Sequence, residues 1–181
     1  MNGSFETGDM VGWTFAPFGP ETWTVLSSGQ PLPPVAPDYS QGGGDEPTDP
    51  LFGFGLPATE GGQLAYFSSN YAMSGPVPAV RMYQDVVLPP TPVALGWDMA
   101  WQSGGGFAPG QQSIRVLLRD ASTDALLAVL WDSAGEFPIQ APLSSLVFPV
   151  AAFAGLEVRV DLEVIATLAP LDVQSDNFRL L

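Results

Sequence analysis

The chain has 181 residues, 46% of them apolar and only 13% charged, with nineteen acidic side chains against five basic ones and a formal net charge of −14. That length fits one domain, 1–181, because a single core of this size buries roughly 70% of the surface that the unfolded chain exposes. The acidic balance excludes nucleic acid and anionic membranes as natural partners, since both need a basic patch, and leaves metal cations as better ones.

Along the chain, short strands are predicted at 14–18, 22–26 and 63–68. A longer one covers 80–88, where Val80, Met82, Gln84, Val86 and Leu88 share a face and Pro89-Pro90 ends the run. At 95–101, Leu95, Trp97, Met99 and Trp101 share one side, opposite Gly96, Asp98 and Ala100. The segment 113–119 alternates Ile114, Val116 and Leu118 with Arg115 and Arg119, and further strands fall at 126–131 and 146–150. The clearest, 156–166, sets Leu156, Val158, Val160, Leu162 and Val164 against Glu157, Arg159, Asp161 and Glu163, one face core and the other wet. A last strand is expected at 172–180. Helix signals are lacking, with 151–154 at best one turn, and there is no internal repeat. The prediction is all-β: two antiparallel sheets in a sandwich of about ten strands.

One stretch breaks the rhythm. Residues 29–62 hold seven prolines and eight glycines in thirty-four positions, and a loop this long inside a compact domain is usually functional or disordered. Its tip, 41–49, reads as mobile, and 51–56 as apolar enough to fold back. A smaller loop, 102–111, carries Gly104-Gly105-Gly106-Phe107.

Histidine, cysteine and lysine are absent. That removes the imidazole base, the thiol nucleophile, the Schiff-base amine, disulfides and thiolate metal sites. A carboxylate pair suffices for glycoside hydrolysis, but with nineteen acids some pair falls at a suitable distance by chance and nothing marks one out. Asp45, Glu46 and Asp49 are the densest cluster, on a flexible tip that would hold catalytic groups poorly. The expectation is a protein without catalytic activity. Halophilic adaptation also yields acidic, lysine-free chains, but charge here is sparse; biased codon usage accounts for the missing lysines equally well.

No signal peptide is recognisable. The longest nearly apolar run, 146–156, is interrupted by Pro149 and too short to span a bilayer. Met1 precedes the first motif directly, which fits either a trimmed chain or a protein delivered without a cleaved signal.

That first motif is Asn2-Gly3-Ser4-Phe5-Glu6 followed by Gly12-Trp13-Thr14, and the chain closes on Asp176-Asn177-Phe178-Arg179-Leu180. With Gln84-Asp85-Val86-Val87-Leu88 and Gly61-Gly62-Gln63-Leu64-Ala65-Tyr66, it resembles the carbohydrate-binding-module and galactose-binding-like jelly rolls, including bacterial surface proteins with the same two ends. Asn2-Gly3-Ser4 also matches a glycosylation sequon but reads here as turn chemistry.

The resemblance implies a jelly-roll sandwich whose first and last strands lie side by side. It also implies a structural calcium site, with Ser4, Glu6, Glu60, the Gln63 carbonyl and Asp176 as ligands, a set of oxygens suited to a hard cation. The plain alternative is that Glu6 and Asp176 are solvated or arginine-paired strand ends. Members of such families include sugar binders and purely structural proteins.

Sugar recognition needs exposed rings. Trp13, Trp97 and Trp101 read as core, leaving Trp23, Tyr66, Tyr71 and Tyr83 as candidate platforms. Tyr83 shares a non-core face with Arg81 and Asp85, a trio suited to stacking and bidentate hydrogen bonding and equally to an ordinary wet strand. Two functions are therefore carried forward. One is a non-catalytic extracellular or cell-surface module, with calcium and a polysaccharide or glycan as partners. The other is a self-assembling subunit of an extracellular filament, surface layer or virion fibre, consistent with low charge and long Pro/Gly loops bearing Phe52, Phe54 and Phe107.

Overall fold

The computed structural model describes residues 5, 11–16, 23–30, 56–69, 77–91, 94–104, 106–169 and 171–181. Among these residues ten strands form: β1 (Thr14–Ala16), β2 (Thr24–Ser27), β3 (Gln63–Ser69), β4 (Val77–Val87), β5 (Ala94–Ser103), β6 (Gln112–Asp120), β7 (Leu126–Asp132), β8 (Ile139–Pro149), β9 (Glu157–Ala166) and β10 (Leu171–Leu180). Ala151–Phe153 makes a 3-10 turn, matching the brief helical signal there. The loop segment 31–55, including the tip 41–49 and its acidic cluster, lies outside the described residues.

The strands build two five-stranded antiparallel sheets, one ordered β1-β4-β9-β6-β7 and the other β2-β3-β10-β5-β8. The all-β, two-sheet expectation holds. Period-two alternation sets the layers: Val80 and Met82 from β4, Ile114, Val116 and Leu118 from β6 and the four β9 aliphatics face Leu95, Trp97, Met99 and Trp101 from β5 and Phe67 from β3. Trp97 is fully buried, its ring 5.3 Å from Phe148 and 5.9 Å from Phe178, nearly parallel to both.

The first and last strands do not lie side by side. β1 pairs with β4 in the first sheet, while β10 sits between β3 and β5 in the second. The two ends of the chain meet instead across the layers, where Trp13 packs 5.1 Å from Phe178 and 5.6 Å from Phe5. In a two-layer fold, ring packing through the core brings termini together without any shared ladder.

β8 begins seven residues earlier than predicted, despite Pro142. It is an edge strand, so the missing N–H faces away from the ladder, and the register shift between the Met99–Ser144 and Trp101–Gln140 pairs brackets the proline. β10 carries a similar irregularity between Asp176 and Arg179, with Asn177 at φ 54°. Asparagine tolerates that left-handed geometry better than most residues.

Candidate functional site

Two outward sheet faces carry polar chemistry. On the first sheet, the β4–β9–β6 register sets out three rows: Arg81–Glu163–Arg115, Tyr83–Asp161–Leu117 and Asp85–Arg159–Arg119. Four of the five arginines thus share one face with three of the acids. Expected to be wet, the face is dry at its centre: Asp161 is fully buried and Glu163 nearly so.

The reason is that the guanidinium groups fold over the carboxylates. Asp161 Oδ2 accepts from Arg81 Nε and Arg119 Nε, both at 2.8 Å. Glu163 is gripped by Arg115 through Nε and Nη2. Burial pushes the Asp161 pKa up, and the two guanidinium charges oppose that rise.

A second layer comes from the β6–β7 hairpin turn. Asp124, at φ 58°, lays its carboxylate into a fork of two arginines. Arg81 Nη1 and Nη2 donate to its two oxygens at 3.0 and 2.9 Å, and Arg159 Nη1 donates at 3.0 Å. The hydrogen bonds from Arg81 lead in lowering its pKa, to about 2. The turn is further held by Asp120, whose Oδ1 accepts from the backbone of Ser122 and Thr123 at 3.0 and 2.8 Å.

The trio Arg81, Tyr83 and Asp85 does converge on this face. Tyr83 is partly exposed, with the Arg159 guanidinium 4.1 Å from its ring centroid and that of Arg81 at 5.3 Å. Asp85 takes two hydrogen bonds from Arg159, at 2.8 and 3.0 Å. A partly exposed ring is thereby held among charged groups that are themselves paired.

On the second sheet, two sequence-predicted platforms are not exposed. Trp23 is buried against Phe67, 5.5 Å away, because the start of β2 points its ring into the sandwich. Tyr66 is buried with Leu26, Leu64 and Leu143 on the outer side, its hydroxyl donating to Asp172 Oδ1 at 3.2 Å. Burial, with Asp172 alongside, raises the phenol pKa well above its usual value. Residues 56–60 run over this face: the Leu56 N–H donates to Gln174 Oε1 at 2.7 Å. Tyr71 lies outside the described residues.

Asp176 anchors that strap. Its Oδ2 accepts from the Thr59 N–H at 2.8 Å, the Glu60 N–H at 3.0 Å and the Thr59 hydroxyl at 3.1 Å, while Oδ1 accepts from the Asn177 N–H at 2.7 Å. Burial raises its pKa and these donors pull it back. Beside it, Asp98 Oδ2 accepts from the Thr59 hydroxyl at 2.6 Å and Asn177 Nδ2 at 3.0 Å. Burial works against the Asp98 charge, but hydrogen bonds from Ser145, Thr59 and Asn177 and the charge on Arg179 leave its pKa lowered. Arg179 and Leu181 pack over Gly96: a Cβ there would sit 3.2 Å from Leu181 Cδ1 and 3.4 Å from the Arg179 guanidinium.

Of the five residues expected around calcium, Ser4 and Glu6 lie outside the described residues. Gln63 opens β3, paired with Ser27. Glu60 is exposed and meets Asp176 through its N–H. Among the described residues no three acidic side chains converge as a metal group. Among the described residues, Asp176 Oδ2 takes three hydrogen bonds and Oδ1 one, and a carboxylate oxygen with a single donor has lone-pair capacity for a cation.

Sequence reasoning missed Asp98, Thr59 and Asn177 around Asp176, and Asp124 over Arg81. For the first group, the Asp176-Asn177 pair was the available signal; Asp124 shares no register with Arg81, since it sits on a turn rather than a strand.

No protein-family model matches the sequence, and no curated protein matches it. Solved structures do share its fold. The K3 cleaved adhesin domain of Lys-gingipain from Porphyromonas gingivalis is 14% identical with a TM-score of 0.55, the match covering 98% of each chain. A carbohydrate-binding module specific for non-crystalline cellulose, CBM28, is 11% identical with a TM-score of 0.54, covering 99% of this chain and 93% of that one. A family-61 module solved with beta-1,4-galactotriose is 13% identical with a TM-score of 0.50, covering 99% and 94%. The chain thus has the β-sandwich fold seen in carbohydrate-binding modules.

Proposed function

We propose that this chain is a non-catalytic carbohydrate-binding β-sandwich of the extracellular space or cell surface, and that the outward face of the first sheet, centred on Tyr83, meets the saccharide. The observation that carries the reading is the partly exposed Tyr83 ring, held by Arg81 and Arg159 and two residues from Asp85 on the same strand face. A ring held this way stacks on a sugar with little loss of conformational freedom, and the flanking charges donate to or accept from its hydroxyls. The shared fold supports the reading without carrying it.

A calcium ion held by Ser4, Glu6, Glu60, the Gln63 carbonyl and Asp176 would be structural; Asp176 belongs to the second sheet, not to the one that carries Tyr83. No helix among the described residues is long and apolar enough to cross a membrane.

The test is Tyr83→Ala against a glycan that the wild-type protein binds. Losing a central aromatic contact costs about 2 kcal/mol, roughly thirtyfold in Kd, and a circular dichroism spectrum of the variant shows that it is folded at the assay temperature. Unchanged affinity would remove this face from the proposal.

The rival reading, a self-assembling subunit, draws on β7. This edge strand exposes Leu126, Leu127 and Val129 and carries no lysine or proline to discourage pairing.

A further inference from the structure

We propose that the Arg81–Arg159 fork is a binding site for the carboxylate of an acidic saccharide, closed in the free protein by the Asp124 side chain. The proposal rests on the saccharide-binding reading above and specifies its ligand as a uronate-containing glycan.

Both arginines are held by carboxylates other than Asp124. Arg81 is fixed from beneath by Asp161 through Nε, at 2.8 Å, and Arg159 from the side by Asp85 through Nε and Nη2. Neither of these carboxylates touches the edges that meet Asp124. Arg81 therefore presents Nη1 and Nη2, and Arg159 presents Nη1, in positions set by other residues. Such a two-arginine fork matches a carboxylate in both charge and geometry. It would stay preorganised if Asp124 left.

The occupant is the most movable part of the arrangement. Asp124 belongs to a hairpin turn, and its side chain is 41% exposed where those of the two arginines are 17% and 15%. Charge gives the same answer. Among the described residues, the ion pairs of this face join Arg81, Arg115, Arg119 and Arg159 to Asp85, Asp124, Asp161 and Glu163; Glu157 and Asp132 lie at its margins by register. Displacing Asp124 removes the carboxylate that meets Arg81 Nη1 and Nη2 and Arg159 Nη1, leaving these cationic edges to an incoming anion. Tyr83 lies alongside, within reach of the sugar ring whose carboxylate enters.

Because Asp124 competes from within the chain, ligand affinity in the wild type is reduced by the fraction of time the fork is open. Asp124→Asn keeps the shape and removes the charge; Asp124→Ala removes the plug. Both variants, with the wild type, are titrated calorimetrically with a galacturonate trisaccharide and its neutral galactose counterpart. We expect either variant to bind the uronate at least about tenfold more tightly than the wild type, with no such gain for the neutral sugar, and Arg81→Lys added to Asp124→Asn to abolish the gain. Folded variants with no uronate gain would overturn the proposal. Should the neutral sugar still bind, the saccharide-binding reading would survive that failure. An equal gain for both sugars would also overturn it, since the plug would then be only steric.

Discussion

Trp97→Ala is expected to be the most damaging single change in this protein, costing about 4 kcal/mol of stability. The side chain is completely buried, sandwiched between Phe148 and Phe178, and Phe178 in turn carries Trp13 and through it Phe5. Removing the indole empties the centre of a stack that joins β5 to both ends of the chain, and the surrounding rings cannot collapse into the space without leaving their own contacts. At this chain length the loss corresponds to a fall in melting temperature of about 12 °C. Trp97→Phe should cost far less. It keeps a stacked ring, and the indole Nε1 that it discards is buried without a hydrogen-bond partner among the described residues. Differential scanning calorimetry of the two variants checks the claim; equal losses would mean that ring stacking is not what holds this region.

Asp161→Ala comes next, at about 3 kcal/mol, the lower end of what breaking a buried ion pair costs. Its carboxylate is the shared partner of Arg81 and Arg119, and without it two guanidinium groups lie on a largely covered sheet face with their Nε donors unmet. The estimate sits at the lower end because both arginines are 17–18% exposed and retain other acceptors. Asp85→Ala is the contrast. Asp85 pairs with Arg159 at 2.8 Å but is 39% exposed, and solvent screening holds such a pair to about 1 kcal/mol or less. Chemical denaturation of both variants decides whether burial or proximity governs this network: similar losses would contradict the burial argument.

The layer structure was legible because it depends on period-two burial. Val158, Val160, Leu162 and Val164 declare the inner face of β9, and Leu95 to Trp101 that of β5. What the outward faces do was not legible. Alternation assigns Arg159, Asp161 and Glu163 to the side away from the core, but it cannot say whether that side meets water, and here arginines reaching from β4 and β6 exclude it. The same limit explains Tyr66: alternation puts it on the outer side of β3, but Leu26, Leu64, Leu143 and Asp172 bury it there. Asp176 was recognisable as a special residue near the end of the chain; that its partners would be the amides of Thr59 and Glu60 depends on a contact spanning more than a hundred residues.

The central claim is that the molecule recognises saccharides, and the most direct measurement is saturation binding of the full chain to a panel of neutral and acidic polysaccharides, in calcium and again in chelator, with particle size recorded in each buffer. Saturable binding to at least one polysaccharide by a monomer is expected, together with a higher melting temperature in calcium than in chelator from an ion at Asp176. No binding across the panel, accompanied by ordered assembly, would contradict it and make the sandwich a building block whose exposed β7 edge is the place to look.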